Sequence, residues 1–146
     1  PQPDAWFRGL RKPRGCPPCW SLGLVWTALY ATLAVALCLV WQAPDSSERT
    51  LGLGALATQL LLHAGWGWVL FHNHAPFSAF CNLLGQWPAA LTATLCFHEV
   101  LPLAGWLLAP CLGWLSVTLW FTFRLWRLNP VQEPEPEPQR RQRYVW

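Results

Sequence analysis

Residues 20–42 read WSLGLVWTALYATLAVALCLVWQ, and none of these 23 side chains carries a charge. Three further runs share this property, namely residues 51–71, 78–97 and 100–123. At about 1.5 Å per helical residue, each run crosses the hydrocarbon core of a bilayer, where helices satisfy their own backbone hydrogen bonds. The sequence therefore predicts an all-α integral membrane protein with four transmembrane helices, the last reaching to about residue 126.

Short polar segments separate the four runs, at residues 43–50, 72–77 and 98–99. Such short links favour antiparallel neighbours, so we expect an up-and-down helix bundle. The chain divides into a basic, proline-rich segment at residues 1–19, the bundle at 20–129, and a disordered Glu-Pro and Arg tail at 130–146. The tail cannot bury a core, because most of its residues are charged or proline.

The third run is the most polar of the four, because it contains Asn82, Gln86 and Pro88. We place these residues on a side that faces the bundle. Neighbouring groups would there supply the hydrogen bonds that lipid cannot.

The basic residues predict a topology. Nine of the ten Lys and Arg residues fall on the side that holds both chain ends, and Arg49 is the exception. By the positive-inside rule, this bias places both ends in the cytoplasm. Because the basic residues flank spans, we expect contacts with membrane lipid and none with nucleic acid.

Metal and redox chemistry find little support. Cys16 and Cys19 have the spacing of a redox or zinc motif, but no second pair of ligands accompanies them. His72 and His74 supply two ligands from one loop, which leaves a tetrahedral ion half bound. We therefore predict no metal site.

Acid–base catalysis also lacks its residues. Glu99 is the lone carboxylate near the bundle, in a turn beside His98, so no acid–base pair is apparent. The sequence therefore predicts a protein that is not an enzyme.

Spaced motifs in the first half resemble a known membrane family. Residues 9–13 read GLRKP, Pro17 and Pro18 precede Trp20, and residues 26–30 read WTALY. This series resembles the translocator protein family, also called the TspO or peripheral benzodiazepine receptor family. Later landmarks agree with it: Gln59, Leu60, Trp66, Phe71, Pro110, Trp114, Trp126, Arg127 and Asn129.

The resemblance implies a bundle of five helices, and this sequence starts in the loop after the first, so the family's first helix is absent from it. His63 stands where the family usually has Asn, and Cys111 stands where it has Tyr. Thr122, with residues 114–118 before it, is more similar to the second, erythroid branch of the family in vertebrates. The implied location is an intracellular membrane, either the outer mitochondrial membrane or the endoplasmic reticulum.

The resemblance further implies a pocket inside the bundle that binds and transports flat apolar molecules, such as cholesterol or porphyrins, and acts as a receptor for synthetic aromatic ligands. No cofactor is expected to be required; haem and protoporphyrin are candidate ligands, and a homodimer is a candidate assembly. Trp faces stack on flat rings, and small residues leave room between helices. Carried over position by position, the pocket residues are Leu22, Gly23, Val25, Trp26, His63, Trp66, Ser78, Cys81, Gly85, Trp114, Thr118, Phe121 and Thr122.

The family's cholesterol signature in the last helix is partly kept. Phe123 occupies the position of the signature Tyr, and Arg127 is the basic residue after it. The ring and the cation could pack a sterol and meet its hydroxyl, although the Tyr hydroxyl is missing. We predict a sterol contact at these two residues.

Three interpretations remain open at this point. The first is the membrane binding protein just described, and the second is porphyrin breakdown promoted by Trp26 and Trp114. The third is a structural membrane subunit without a small ligand. For His63, ligation of haem iron and a satisfied hydrogen bond inside the membrane are both open.

Overall fold

The computed structural model describes residues 9–14 and 19–130, and side chains from residue 23 onward in the second range. Four α-helices form there in chain order, and no strand is present in these ranges. The predicted all-α bundle of four helices is confirmed. The helices are α1 (Cys19–Trp41), α2 (Ser47–Phe71), α3 (Pro76–Val100) and α4 (Pro102–Leu128). The expectations for Cys16, the other N-terminal residues and the tail at 131–146 fall outside the described residues.

Helix α2 begins four residues before the uncharged run that predicted it. Ser46 is the N-cap, with φ −149° and ψ 164°, and its hydroxyl accepts a hydrogen bond from the Arg49 backbone N–H at 3.1 Å. Glu48 lies in the first turn, where a carboxylate favours the positive end of the helix dipole. A search for uncharged residues misses this turn because its stabilising residues are polar and charged.

Three helices are long and apolar enough to cross a membrane, over Gly23–Trp41, Ser47–Phe71 and Pro102–Leu128. Helix α3 has the length, at 25 residues, but is more polar. Its Gln86 is fully buried and bonds to Asn82, as expected for a side that faces the bundle. The expectation for Pro88 is wrong. This residue lies two positions after the buried Gln86, on an exposed part of the helix surface.

The bundle is held together mainly by α3, which packs along both α2 and α4. Its contact with α2 is close, since a Cβ at Gly52 would lie 2.9 Å from the Cβ of Cys96 and 2.9 Å from Cδ1 of Phe97. A second tie joins α3 to α4, where the Trp87 indole N–H donates to the Ser116 hydroxyl at 2.9 Å. These contacts form a rigid group of three helices.

Helix α1 lies mainly against α4 and touches α2 and α3 over a smaller area. Its buried stripe joins a core to which all four helices contribute, near the end where α1 finishes and α4 begins. The buried members of this core are Leu29, Leu33, Ala36, Val40, Leu56, Ala93, Phe97, Ala104, Leu108 and Cys111. At the opposite end, the buried residues Leu70, Ala79 and Leu125 come only from the other three helices.

The outer surface of the bundle is apolar, as expected where the solvent is lipid. Leu61 and Leu24 are 76% and 66% exposed. Trp41, Trp68 and Trp106 are also exposed, and each lies near a helix end. Trp at these positions is typical of the two membrane–water interfaces.

Arg49, the basic residue on the otherwise uncharged side, caps α1. Its Nε donates to the carbonyl of Val40 at 3.0 Å and its Nη2 to the carbonyl of Trp41 at 2.8 Å. Nη1 pairs with Asp45, and the guanidinium lies 5.6 Å from the centroid of the Trp41 ring. These carbonyls belong to the last turn of α1, which has no intrahelical donors for them.

We expect Arg49→Leu to lower the free energy of unfolding by about 1–2 kcal/mol, because charge-assisted bonds to two helix-end carbonyls are lost. Arg49→Lys keeps the charge but not the planar guanidinium. Its free energy of unfolding should therefore lie between that of the wild type and that of Arg49→Leu. The measurement is thermal unfolding in lipid nanodiscs followed by near-UV circular dichroism. Arg124→Leu is the matched control, because Arg124 is exposed on α4 and makes no hydrogen bond to a helix end among the described residues. A wild-type melting temperature for Arg49→Leu would contradict the capping role.

Candidate ligand-binding site

Five rings from three helices meet between α1, α2 and α4, and we call them the aromatic cluster: Trp26, Tyr30, His63, Trp66 and Trp114. The His63 ring centroid lies 4.4 Å from that of Trp26 and 5.7 Å from that of Trp66, on which it stacks with an interplanar angle of 19°. Trp114 meets Trp26 edge to face at 6.4 Å. Tyr30 lies 5.9 Å from Trp26 and 6.2 Å from His63.

Helical spacing explains why these rings converge. Trp26 and Tyr30 are four residues apart on α1, and His63 and Trp66 are three apart on α2. Residues at these separations share one helix face. The pairs therefore project from two facing helices into the same space, and Trp114 approaches them from α4.

Three buried polar atoms have no hydrogen-bond partner among the described residues. Two of them, Nε1 of Trp66 and Nε1 of Trp114, belong to the cluster, and the third, Oγ1 of Thr122, lies eight residues after Trp114 on α4. Thr122 is fully buried, whereas the Thr118 hydroxyl donates to the Trp114 carbonyl at 2.9 Å. Most buried polar groups in proteins are paired, so these three orphans call for an explanation. An acceptor on a bound molecule would satisfy an indole N–H group.

A chain of polar side chains links the cluster to α3. The Gln86 side-chain N–H donates to Oδ1 of Asn82 at 2.6 Å, and its Oε1 lies 3.1 Å from Nδ1 of His63. Gln86 is fully buried, so the chain satisfies polar groups that lipid could not. His63 therefore makes the intramembrane hydrogen bond that the sequence left open, while iron ligation stays an untested hypothesis, since this bond uses only one ring nitrogen.

The structure brings some predicted pocket residues together and separates others. Trp26, His63, Trp66 and Trp114 form the cluster. Thr118 and Thr122 are buried on α4, Phe121 is half-buried against the Leu70 and Leu125 core, and Val25 packs on the core shared by all four helices.

The remaining predicted pocket residues lie elsewhere. Ser78 and Cys81 are exposed on α3, whose buried face carries Ala79 and Leu83. Gly85 is exposed beside α2, where a Cβ would lie 3.6 Å from Cδ1 of Leu62, and Gly23 faces open space. The Leu22 side chain is outside the described part of the chain.

Sequence reasoning missed two partners of the cluster. Tyr30 was read only as part of a motif, and Gln86 only as a polar interruption of α3. The signal for Gln86 was present, because a polar residue in an apolar run is expensive and marks a functional or structural contact. Its partner could not be read from the sequence, since His63 lies 23 residues away on another helix.

A small crevice lies in the core of the bundle, and none of the five rings of the aromatic cluster lines it. Its lining includes Leu56, Gln59, Thr94 and Cys111, and its volume is about 10 Å³. That is room for about one water molecule, whereas ligand pockets usually measure roughly 300–1,000 Å³. This crevice is therefore too small for a sterol or a tetrapyrrole.

Residues 9–14 lie across the end of the bundle. The Arg11 backbone N–H donates to Oδ1 of Asn129 at 2.9 Å, and the Asn129 side-chain N–H donates back to the Arg11 carbonyl at 2.9 Å. Leu10 packs beside Trp66 on the core around Leu70. This segment covers the cluster from one end, and it joins the N-terminal part of the chain to the end of α4.

Comparison with known proteins decides the family. A family model described as the TspO/MBR family matches residues 1–127. The chain belongs to the TspO/MBR family. It is 35% identical over 126 residues to the human protein named Translocator protein, covering 85% of this chain and 75% of that protein.

Two further relatives show the breadth of the family. The chain is 35% identical over 138 residues to the human Translocator protein 2, covering 91% of this chain and 81% of that protein. It is 29% identical over 133 residues to Protein CrtK of Rhodobacter capsulatus, covering 90% and 83%. The family resemblance is confirmed, while equal identity to the two human proteins leaves the erythroid branch a prediction. The helices and the family together make this a multi-pass membrane protein.

The residues predicted for sterol contact in this TspO/MBR protein lie in a second aromatic group on the outer face of α3 and α4. Phe123 lies 5.4 Å from Phe80, and Phe80 stacks on Trp126 at 5.9 Å. The Arg127 guanidinium lies 5.9 Å from the Trp126 ring. Phe123 is 37% exposed, so this group faces lipid rather than the aromatic cluster.

Replacing Asn129 by Ala should loosen the covering segment, since both bonds to Arg11 are lost. A hydrogen bond is worth on the order of 1 kcal/mol, so the Arg11 amide should exchange about five-fold faster. Hydrogen exchange with mass spectrometry in nanodiscs measures this directly. Asn73→Ala, in the exposed loop after α2, should leave the rate unchanged. Equal rates for Asn129→Ala and the wild type would show that the amide pairing does not hold the segment.

A photoreactive sterol should label the second aromatic group, and Arg127→Leu should reduce the labelling several-fold, because the cation is the group available to a sterol hydroxyl there. Labelled peptides are identified by mass spectrometry. Arg124→Leu is the control, as it removes a charge from the same helix end. Unchanged labelling in Arg127→Leu would exclude Arg127 from the site.

Proposed function

We propose that this TspO/MBR protein binds flat apolar molecules of the sterol or tetrapyrrole class in the aromatic cluster and carries them within the membrane. The observation that supports this most directly is the set of orphan donors among stacked rings. Two indole N–H groups on rings of the cluster are buried and have no acceptor in the part of the chain that the structure describes.

The chemistry of the cluster matches such ligands. Indole faces offer a large apolar area to a flat ring system, with a preference for offset or edge-to-face contact. Buried N–H donors are strong in a low-dielectric site and would fix the orientation of a ligand oxygen. A sterol hydroxyl or a tetrapyrrole carboxylate supplies that oxygen at the edge of an otherwise apolar molecule.

We further propose that both chain ends face the cytoplasm, in the outer mitochondrial membrane or the endoplasmic reticulum. The basic residues support the orientation, because nine of ten lie on the side of the chain ends. The relatives named Translocator protein support a transport role. Cysteine labelling from the two sides of sealed vesicles, with Cys introduced after residue 130, would test the orientation.

Substituting the cluster should weaken binding of both ligand classes. Trp114→Leu should lower affinity for cholestanol and for protoporphyrin roughly ten-fold, since an aromatic contact is worth on the order of 1 kcal/mol beyond its buried area. Binding is measured with the full chain in nanodiscs, by tritiated sterol and by porphyrin fluorescence. Trp106→Leu, on a Trp that is 69% exposed to lipid, is the matched control. Equal losses in both variants would place the ligand outside the cluster.

A structural role without a small ligand is the second candidate. It is favoured by the close contacts of the rings with one another, at 4.4–6.4 Å, and by the small size of the crevice. The two candidates differ in ligand-induced stabilisation, because a ligand that binds only the folded state raises the unfolding temperature. No shift with saturating cholestanol or protoporphyrin would favour the structural role.

A further inference from the structure

The polar chain determines which nitrogen of His63 carries the hydrogen. Gln86 donates its N–H to Asn82, so the atom that faces His63 is the amide oxygen Oε1, 3.1 Å from Nδ1. A carbonyl oxygen only accepts, and Nδ1 must therefore donate. A neutral imidazole has one N–H, so Nε2 of His63 is left with a lone pair.

This lone pair lies where lipid cannot satisfy it. Nδ1 is bonded to Gln86 on α3, and Nε2, one ring carbon away from Nδ1, faces a different direction. No hydrogen bond to Nε2 occurs within the described part of the chain. His63 lies inside α2, eight residues before its end at Phe71, which is within a membrane-spanning helix. An acceptor at this depth gains most from a donor on a bound molecule.

The rings around His63 supply the opposite kind of group. Trp66, whose ring stacks on the imidazole at 5.7 Å, has a buried indole N–H with no acceptor among the described residues. The site thus combines unpaired N–H donors with one lone-pair acceptor. A hydroxyl matches both, because it donates one hydrogen and accepts through its oxygen. A ketone has no hydrogen to give, and its oxygen would leave Nε2 unpaired.

We propose that His63 is a specificity-determining residue, whose Nε2 selects a flat apolar alcohol over the ketone with the same ring skeleton. This rests on the proposed function, since it concerns the same cluster. An Asn side chain at this position would carry both an N–H donor and a carbonyl acceptor on one rotatable amide. It would therefore bind the alcohol and the ketone alike. Specificity of this kind arises because the wrong ligand leaves a polar group of the site without a partner.

The test compares cholestanol with cholestan-3-one, which differ only in the oxygen at C3. Both compete with tritiated cholestanol for the full chain in nanodiscs, and the readout is the ratio of the two affinities. The wild type should prefer the alcohol roughly ten-fold, the usual effect of one unsatisfied polar group. His63→Asn should bring the ratio close to one. Gln86→Leu should also lower the ratio of the two affinities, because Nδ1 of His63 then loses the acceptor that keeps the hydrogen on Nδ1.

His72→Asn is the matched control, since His72 is exposed after α2 and its ring stacks on Trp68 at 4.1 Å, outside the aromatic cluster. This variant should keep the ten-fold ratio. A wild-type ratio near one, or an unchanged ratio in His63→Asn, would overturn the inference about selectivity. If both sterols bind, the proposed function still stands. If His63→Asn does not fold, the wild-type ratio decides by itself. If neither sterol binds, the proposed function fails and the selectivity fails with it.

Discussion

Hydrocarbon offers no hydrogen bonds, and this constraint organises the whole protein. It makes the backbone helical wherever the chain crosses the membrane, and it requires each helix end and each polar side chain to find a partner within the chain. Arg49 supplies such partners at the end of α1, and Asn129 does so at the end of α4. The indole N–H groups of Trp66 and Trp114 differ, because they have no partner among the described residues, and the proposed function rests on this difference.

Packing is uneven around the bundle, and the candidate site lies where it is less extensive, at the contact between α1 and α2. Helices α2, α3 and α4 are held by close backbone contact at Gly52 and by the bond between Trp87 and Ser116. Helix α1 is attached mainly to α4 and meets α2 largely through rings. A ligand that separates Trp26 from His63 would thus disturb few buried contacts. The second aromatic group, around Phe123, differs because it faces lipid and needs no opening.

Patterns along the sequence predicted much of the architecture. They predicted neither the residue at which α2 begins nor which residues of α3 face the bundle. Uncharged runs located all four helices and missed the first turn of α2, where Ser46 and Glu48 stabilise the helix through polar groups. The family resemblance grouped Trp26, His63, Trp66 and Trp114, which the structure brings together, while their role in ligand binding stays a prediction. It also grouped with them Ser78 and Cys81, which the rotation of α3 leaves exposed. Pro88 was misplaced for the same reason, since a helix turns about 100° with each residue.

Charge, run length and spaced motifs are properties of the chain read in order, and they were enough to predict a membrane environment, the four helices of the described residues and the family. Tertiary structure alone decided which polar groups meet. Gln86 lies between Asn82 and His63 only because α2 and α3 pack in one register, and this contact sets the donor and acceptor nitrogens of His63. The hydrogen-bonding character of the site therefore comes from the packing of two helices, which no single helix encodes.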